Sequence, residues 1–355
     1  MPTVSVVNVT GGLPQNPGSG NTSVGESSIA FDTTAKDLKL FDGSTLYRIP
    51  TDGAAFASGS PKSGTAGTGA GTFAVPGAFY RNSANSVLYV NEGTLASPYW
   101  TPVSFDQRGL LGWYSDFHDG AGKALADTTT SATLIGSGLR VHGQGIDGTD
   151  GGFVVDFSAT DGKGAYGVMT SSATDADLTC LSVGTGTVPV FQPDQNGTIV
   201  IDVNIANLVS LATKAVFVGF SGLGTAALPP LMTYATTTIT NVAVDIAGLT
   251  WSSELTLNDD WCHVNFDVGA GGTLAAADRD TGVDAAAAGT YQRVRVEVDA
   301  DGVMRTFIDK ALLSTSAAAA VDIDEELNPQ CYIETSTAGA MTLAIRHFAA
   351  WGTRV

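Results

Sequence analysis

The sequence has 355 residues, and its 17 Lys and Arg stand against 35 Asp and Glu, so the formal net charge at pH 7 is −18. This charge repels phosphate backbones and anionic membrane surfaces, and no Lys/Arg cluster offsets it, so we expect no nucleic acid and no membrane as partner. Charged residues make up only 15% of the chain while glycine occurs 43 times, a profile that favours short strands and tight turns over helices.

The first 29 residues predict an N-terminal arm and connector. A valine-rich start, residues 4–9, is followed by a segment of Gly, Pro, Ser and Asn that has no apolar period. The same region lacks a basic segment followed by an apolar one, and nowhere does the sequence reach the apolar length of a membrane span. We therefore expect a soluble protein that no signal peptide exports.

Residues 30–105 predict two small β-hairpin modules that are joined by a Gly-rich linker, residues 59–72. The pattern LKLFDGSTLYRIP at 38–50 gives one strand pair, and VLYVNEGTLASPYW at 87–100 resembles it. In this weak internal repeat Phe31 aligns with Tyr80, Leu38 with Val87, and Leu40 with Tyr89. Isolated hairpins of this size are marginal in water, so the modules should oligomerise or lie on a partner surface.

Residues 106–355 predict a β-sandwich, and the hairpin at 291–308 is its clearest element. Gln292, Val294, Val296 and Val298 alternate with Tyr291, Arg293, Arg295 and Glu297, which predicts one buried apolar face and one wet face. Asp and Gly at 299–302 supply the turn. Further strands are predicted at 132–141, 153–157, 198–205, 215–220, 241–249, 261–268, 331–334 and 341–351.

Many strands at short spacing imply an all-β, two-sheet architecture, in which the wholly apolar strand 215–220 should be central and covered on both faces. Short helices are conceivable only at 207–214 and 314–320. Three widely spaced cysteines, Cys180, Cys262 and Cys331, show no metal-binding spacing and are interpreted as small buried side chains in a reducing compartment.

Residues that could carry chemistry are scattered. The four histidines, His118, His142, His263 and His347, have no paired spacing, and we assign them structural roles. Acids at 321–326 place Asp322 and Asp324 on one face, with Glu325 or Glu326 beyond, which could be a glycosidase pair but fits a solvated acidic turn better. We predict no catalytic, cofactor-binding or metal-binding residue, and no cofactor.

Two weaker alternatives accompany this interpretation. Asp147 and Asp150, in the loop 145–151, could hold Ca²⁺ through oxygen ligands, although Asp-Gly turns explain the loop without a metal. The five tryptophans could stack on sugar rings in a lectin-like cleft, although most tryptophans in sandwiches lie in the core. They are Trp100, Trp113, Trp251, Trp261 and Trp351.

Three segments carry a family resemblance: KAVFVGFSG at Lys214–Gly222, GTYQRVRVEVDADGVMRTFIDKALL at 289–313 and MTLAIRHFAAWG at 341–352. With them, residues 115–355 resemble the concanavalin A-like (laminin G-like) jelly-roll domains of tailed-bacteriophage virion proteins. That family usually ends the second hairpin strand with Asp-Gly, whereas here Asp309 precedes Lys310. The two N-terminal patterns, at 38–50 and 87–100, are similar to segments of phage head-decoration, head-fibre and tail-fibre proteins.

The resemblance implies a non-enzymatic virion protein that is made in the host cytoplasm and decorates or cements the capsid surface. The N-terminal part would dock on the major capsid protein, the chain would form a homo-oligomer, expected to be a trimer, and the jelly roll would project outward. The alternative is a receptor-binding head or tail fibre whose jelly roll binds a host surface glycan. A glycoside hydrolase on the same fold would need two facing carboxylates, which the sequence does not reveal.

Overall fold

The computed structural model describes a large part of the chain. The described residues are 28–32, 37–41, 46–49, 56–57, 61–64, 76–82, 85–94, 96–105, 107–117, 123–124, 133–134, 138–144, 152–157, 165–171, 178–183, 190–208, 214–222, 231–241, 245–256, 260–267, 272–335 and 341–354. The Ca²⁺ alternative at Asp147 and Asp150, the arm at 1–27 and His118 lie outside these residues.

The structure is built almost wholly of strands. In chain order these are β1 Ser28–Asp32, β2 Asp37–Phe41, β3 Leu46–Ile49, β4 Phe56–Ala57, β5 Phe79–Asn82, β6 Leu88–Asn91, β7 Trp100–Pro102, β8 Leu110–Ser115, β9 Lys123–Ala124, β10 Thr133–Leu134, β11 Arg140–Gln144, β12 Gly152–Phe157, β13 Ala165–Thr170, β14 Leu178–Ser182, β15 Ile199–Asn207, β16 Lys214–Gly222, β17 Met232–Ala235, β18 Thr238–Asn241, β19 Ile246–Ser252, β20 Asp260–Phe266, β21 Thr273–Ala275, β22 Asp280–Asp284, β23 Gln292–Val298, β24 Met304–Ile308, β25 Ala311–Thr315, β26 Leu327–Thr335 and β27 Thr342–Thr353. One helical turn, α1 Pro193–Asn196, and a 3₁₀ turn at Ala276–Asp278 accompany them.

Two large antiparallel sheets form a sandwich. One has eight strands in the order β10-β11-β14-β26-β16-β19-β20-β22, and the other has nine in the order β25-β24-β23-β15-β27-β13-β12-β9 with β8. Strand β27 pairs with β15 along one edge and with both β13 and β8 along the other. The prediction of an all-β jelly-roll sandwich is therefore confirmed.

The core lies between the two sheets, where alternate residues of each strand meet. Ile199, Ile201 and Val203 of β15 pack there with Val294 and the other valines of β23. Strand β16 is buried at all nine positions between β26 and β19, as its apolar stretch 215–220 predicts. All three cysteines are free and buried, in agreement with their interpretation as small core side chains.

The hairpin β23–β24 confirms one half of its prediction and contradicts the other. Val294, Val296 and Val298 face the core, but the opposite face is not wet: Arg295 and Glu297 are buried as well. The reason is that residues 61–64 and the second N-terminal module lie across this face of the nine-stranded sheet. Ser63 donates its backbone N–H to Oε2 of Glu297 at 3.2 Å, for example.

The two N-terminal modules each contain three antiparallel strands, β1-β2-β3 and β5-β6-β7, and β4 adds to the second in parallel. The second module lies on the jelly roll of its own chain, so the partner surface that a small hairpin module needs is supplied internally. Its apolar side chains form one cluster with the outer face of the nine-stranded sheet: Tyr80, Val87, Tyr89 and Trp100 with Leu110, Val200, Ala349 and Trp351. The division of the chain into domains at about residues 30 and 106 stays a prediction.

Neither of the conceivable helices is seen among the described residues. Residues 209–213 lie outside them, and at 314–320 the helix prediction is wrong, because β25 runs to Thr315 and a turn follows. Ala319 in that turn has a φ of 53°, and its backbone N–H donates to the carbonyl of Asp301 at 3.0 Å. No helix in the described part of the chain is long and apolar enough to cross a membrane.

A glycine pair at the centre of the eight-stranded sheet makes room for a ring. Gly219 and Gly248 are paired across β16 and β19, and a Cβ atom on Gly248 would lie 2.7 Å from Cζ of Phe217 and 2.7 Å from the carbonyl oxygen of Val218. We expect Gly248→Ala to lower the free energy of unfolding by about 1–3 kcal/mol, the usual cost of overpacking, in urea denaturation. Adding Phe217→Leu removes the colliding ring, so the alanine should cost less in that background; an equal cost in both would contradict a collision with the ring.

Candidate functional site

The candidate site lies on the outer face of the nine-stranded sheet, where three adjacent strands present charged side chains. Antiparallel pairing sets Asp202 of β15 opposite Arg295 of β23, and Asn204 opposite both Arg293 and His347 of β27. Residues opposite each other or diagonal to each other on one face of a sheet are within side-chain reach. The register therefore brings Asp202, Arg293 and His347 together.

Asp202 is the hub of this site. Its Oδ1 accepts hydrogen bonds from Nε of Arg293 at 2.8 Å and from Nε2 of His347 at 3.1 Å. Its Oδ2 accepts from Nη2 of Arg293 at 2.8 Å and from the hydroxyl of Tyr99 at 2.7 Å. Because a carboxylate only accepts, Nε2 of His347 carries the hydrogen in this pair. Four donors thus hold one fully buried carboxylate.

The donors keep Asp202 ionised although it is buried. Burial by itself would raise the pKa of this carboxyl, but the hydrogen bond from His347 and the charge and hydrogen bonds of Arg293 hold the pKa far below its ordinary value. Burial and the neighbouring Asp202 charge raise the pKa of Tyr99, so its hydroxyl stays protonated and donates. Asp202 therefore acts as a fixed negative charge and not as a group that exchanges protons.

Arg293 continues the network toward solvent. Its Nη1 lies 2.8 Å from Oε2 of Glu92, which is in the second N-terminal module. Burial opposes ionisation of Glu92, but the charges of Arg293 and Lys310 lower its pKa below the ordinary value. Nζ of Lys310 is 3.5 Å from the same carboxylate oxygen.

Lys310 lies in the tight turn between β24 and β25. Ile308 pairs with Ala311, so the β24–β25 turn has two central residues, and both have positive φ: 50° at Asp309 and 70° at Lys310. Such a turn favours glycine because a Cβ atom is disfavoured at positive φ. The contact with Glu92 is a local reason for a lysine at this strained position.

Arg295 forms a second buried link between the module and the sheet. Its Nη2 lies 2.5 Å from Oε1 of Glu297 and donates to the carbonyl of Trp100 at 2.5 Å. The guanidinium carbon also lies 4.0 Å from the ring centroid of Tyr99 and 5.0 Å from that of Trp351, distances at which a cation is attracted to an aromatic face.

A cavity of about 250 Å³ opens between the module and the sheet beside this network. The module and the following strand contribute Glu92, Thr101, Phe105 and Tyr114, and the sheet contributes Asp202, Arg293, His347, Ala349 and Trp351. One wall is a stack of near-parallel rings with Tyr114 in the middle: its ring lies 5.3 Å from that of Phe105 and 6.4 Å from that of His347.

The polar groups around the cavity have different capacities for a ligand. Both oxygens of Asp202 are occupied, and three N–H groups of Arg293 already donate to carboxylates. Glu92 keeps a partly exposed, ionised carboxylate, and Oγ1 of Thr101 has no hydrogen-bond partner in the described part of the chain. The cavity therefore offers a hydrogen-bond acceptor and an exposed aromatic ring.

Only two of the residues that the sequence singled out belong to this site, His347 and Trp351. Trp100, Trp251 and Trp261 are buried, as the core interpretation predicts, and Trp113 is partly buried. Asp322 and Asp324 lie in an exposed turn, in agreement with the solvated acidic turn. Among the described residues no three His, Cys, Asp or Glu side chains are grouped so that they could hold a metal ion.

Sequence reasoning missed Tyr99, Asp202, Arg293, Glu92 and Tyr114. A signal was present, because β23 alternates Arg, Arg and Glu with its valines, and a strand with charges on one face is usually solvated. The sequence did not reveal that residues 61–64 and the second N-terminal module cover those charges. Tyr99 and Asp202 are 103 residues apart.

No family model matches the chain, and no curated protein matches it in sequence. Solved structures match its fold at low identity. A protein of unknown function from Shewanella oneidensis MR-1 is 11% identical, with a TM-score of 0.41, over 69% of this chain and 87% of that one. The carbohydrate recognition domain of Emp47p is 8% identical, with a TM-score of 0.38, over 68% of this chain and 98% of that one.

A carbohydrate esterase of Shiga toxin-encoding bacteriophage phi24B is 12% identical, with a TM-score of 0.35, over 61% of this chain and 91% of that one. An alginate lyase and a fungal endo-beta-1,4-glucuronan lyase also match, at 10% and 13% identity. These three are enzymes. The prediction that the chain is not an enzyme is therefore wrong, because similar folds include enzymes and this architecture gives no ground for excluding activity.

We predict that the Asp202 network contributes strongly to stability. Asp202→Asn leaves the partly buried Arg293 without its full countercharge and should cost about 3 kcal/mol in urea denaturation, and Tyr99→Phe about 1.5–3 kcal/mol. Because the pKa of Asp202 is lowered in the folded state, its contribution is complete above the unfolded pKa of ~4 and shrinks as the pH falls below it. Lys310→Ala, at the solvent end of the same network, is the control and should cost ~1 kcal/mol or less.

We predict that the contribution of Asp245 to stability has the opposite pH dependence to that of Asp202, because Asp245 lies near the acidic turn at 321–326. Burial, then the charges of Glu325 and Asp322, raise the pKa of this carboxyl to about 6. A raised folded-state pKa in an acid means that stability is highest below the unfolded pKa of ~4 and falls as the pH rises through about 6. Asp245→Asn should therefore raise the melting temperature at pH 7.5 and not at pH 4, whereas Asp278→Asn, at an exposed position, should change neither.

Proposed function

We propose that the chain binds a glycan and that a single sugar ring occupies the cavity between the second N-terminal module and the nine-stranded sheet. The observation that carries this proposal is the half-exposed ring of Tyr114, 46% accessible, beside the ionised carboxylate of Glu92 in one small concavity. An aromatic face and a fixed acceptor complement the two surfaces of a pyranose.

The size of the cavity sets the scale of the ligand. Pockets for drug-sized molecules begin at roughly 300 Å³, so about 250 Å³ suits one ring and not an extended oligosaccharide. The rest of a glycan chain would leave through the open side. We therefore propose recognition of a terminal or protruding sugar residue.

The charges around the cavity favour directional hydrogen bonding. Glu92 and Arg293 are held in place by each other and by Asp202, so a sugar hydroxyl meets groups that need no reordering on binding. The apolar C–H face of the sugar would lie against Tyr114, which Phe105 supports from behind at 5.3 Å.

The setting that we propose is the surface of a bacteriophage virion, where the glycan would belong to the bacterial host. The resemblance of 38–50, 87–100 and 115–355 to phage virion proteins supports this setting, in which the N-terminal part of the chain would dock on the major capsid protein. Many weak shell contacts would then add up across the particle. A cryo-EM reconstruction of the intact particle tests the location, and density for this chain in the tail alone would contradict the capsid setting.

Glycan binding is tested with bacterial surface polysaccharides on an array, followed by titration calorimetry of any hit. We expect Tyr114→Ala to weaken binding at least tenfold, because it removes the exposed ring that the sugar would cover. Glu92→Gln, which keeps the shape and removes the charge, should weaken binding less.

The control is Tyr166→Ala, which deletes a partly exposed phenol ring on β13, outside the cavity, and should leave affinity unchanged. Equal affinity of the Tyr114→Ala variant and the unmodified protein would contradict the proposed site. The same samples should be examined for chain cleavage and for unsaturated or deacylated products, so that binding and turnover are distinguished.

A further inference from the structure

Strand β27 contains a β-bulge at Arg346, directly beside the cavity. Asn204 of β15 pairs with His347, but the next residue of β15 pairs with Ile345, so β27 has one residue more than its partner here. Ile345 and Phe348 both face the core although they are three positions apart, an odd spacing that regular alternation does not allow. The bulge therefore turns two consecutive, partly exposed side chains, Arg346 and His347, away from the core.

An aromatic ring holds the guanidinium group of Arg346 in place. The guanidinium carbon lies 3.8 Å from the ring centroid of Tyr291, a distance at which a cation is attracted to an aromatic face. Tyr291 directly precedes β23, so the arginine side chain crosses β15, which lies between β27 and β23 in the sheet. Because its planar head is already positioned, Arg346 would lose little freedom on binding a ligand.

Arg346 differs from the arginines of β23 and β24 in its lack of a countercharge. Arg293, Arg295 and Arg305 are each paired with an Asp or Glu carboxylate. Arg346 forms no hydrogen bond and no ion pair with the residues that the structure describes, and its Nε is buried without a partner. Although the chain has 35 acidic residues, none of those described neutralises this guanidinium group.

The position of Arg346 along β27 connects it with the cavity. Trp351, Ala349 and His347 line the cavity at every second position of the strand, and Arg346 is the next residue toward the start of β27. The second N-terminal module packs at the opposite end, on Trp351 and Ala349. A sugar residue that is joined to the one in the cavity and lies away from the module can therefore contact the guanidinium group.

We propose that Arg346 binds an anionic group of the glycan, a carboxylate or a phosphate, on the sugar residue next to the one in the cavity. This inference rests on the proposed glycan binding and names the class of ligand, an acidic polysaccharide. The planar guanidinium group matches the oxygens of a carboxylate or a phosphate with two parallel hydrogen bonds, a geometry that lysine does not provide.

The charges around the cavity give the two sugar residues different roles. The ionised Glu92 and the net charge of −18 disfavour an anionic ring in the cavity itself. Arg293 does not offset them, because three of its N–H groups already donate to Glu92 and Asp202. Repulsion by remote acids is screened within about 8 Å at physiological ionic strength, so the adjacent Arg346 determines the preference at the second position. The preferred ligand has an uncharged ring in the cavity and an acidic ring beside it.

The first experiment uses the unmodified full chain and changes the ligand. Titration calorimetry compares a panel of bacterial capsular polysaccharides that contain hexuronic acid, the same polysaccharides after chemical reduction of their carboxyl groups, and a glycosylated glycerol-phosphate teichoic acid. We expect a hexuronate polysaccharide to bind at least about tenfold more tightly than its reduced form, or the teichoic acid to bind if the anion is a phosphate, because hydrogen bonds to charged groups are strong.

The outcomes of this experiment separate the inference from the proposed function. Reduced polysaccharides that bind as tightly as the acidic ones, with no binding of the teichoic acid, would overturn the role of Arg346 and leave glycan binding intact. Absence of binding to every probe would contradict glycan binding itself, and the inference with it.

The second experiment changes the protein. Arg346→Gln removes the charge and should weaken binding of the acidic polymer at least about tenfold, with little change for the carboxyl-reduced polymer. Arg346→Lys keeps the charge without the planar fork and should have an intermediate affinity. Tyr114→Ala should weaken binding of both polymers, because its ring contacts the first sugar.

The matched control is Arg140→Gln, which changes the net charge by the same amount at a partly exposed arginine on β11 of the other sheet. It should leave both affinities unchanged. An Arg346→Gln variant that binds the acidic polymer as tightly as the unmodified protein would overturn the proposal. Equal losses for the acidic and the carboxyl-reduced polymer would do the same, because they would indicate a structural role for Arg346.

Discussion

The buried carboxylate of Asp202 is the interaction on which the arrangement of this molecule depends. This carboxylate is ionised and shielded from water, and a buried charge is strongly destabilising unless hydrogen-bond donors or opposite charges surround it. Here the donors come from both parts of the structure, Arg293 and His347 from the jelly roll and Tyr99 from the segment that leads into β7. The same set of bonds therefore neutralises the sheet surface and fixes the module on it.

The cavity follows from that docking. Tyr114 and His347 form its aromatic wall, and Trp351, Ala349 and Glu92 also line it, so the cavity needs both the module and the sheet. A jelly-roll sheet alone would present Arg293 and Arg295 to water as an open charged surface. With the module in place, those two guanidinium groups form ion pairs with Glu92, Asp202 and Glu297. The Tyr114 ring and the Glu92 carboxylate remain available to a ligand in the cavity.

The sequence predicted the sandwich well because period-2 alternation and Asp-Gly turns are local signals. It placed the valine face of β23 and the covered strand β16 correctly. The same alternation made Arg295 and Glu297 look solvated, since a pattern along one strand does not reveal which remote segment lies on top. Ser63 reaches Glu297 across 234 residues of sequence, and no local pattern encodes such a contact. The candidate site is formed almost wholly by contacts between residues that are far apart in the sequence. For this reason His347 and Trp351 were the only site residues among the candidates that the sequence suggested.

Glu92 and Arg293 are separated by 201 residues, and this distance along the chain affects how the protein is made. During synthesis the ribosome releases the second module long before β23 and β27 exist, so Tyr80, Tyr89 and Trp100 have no sheet to cover and remain solvated for many seconds at ordinary elongation rates. A chaperone that binds exposed aromatic side chains could bind the second module during that interval. Expression at reduced temperature, or together with such a chaperone, should therefore raise the yield of native protein more than changes within the jelly-roll core.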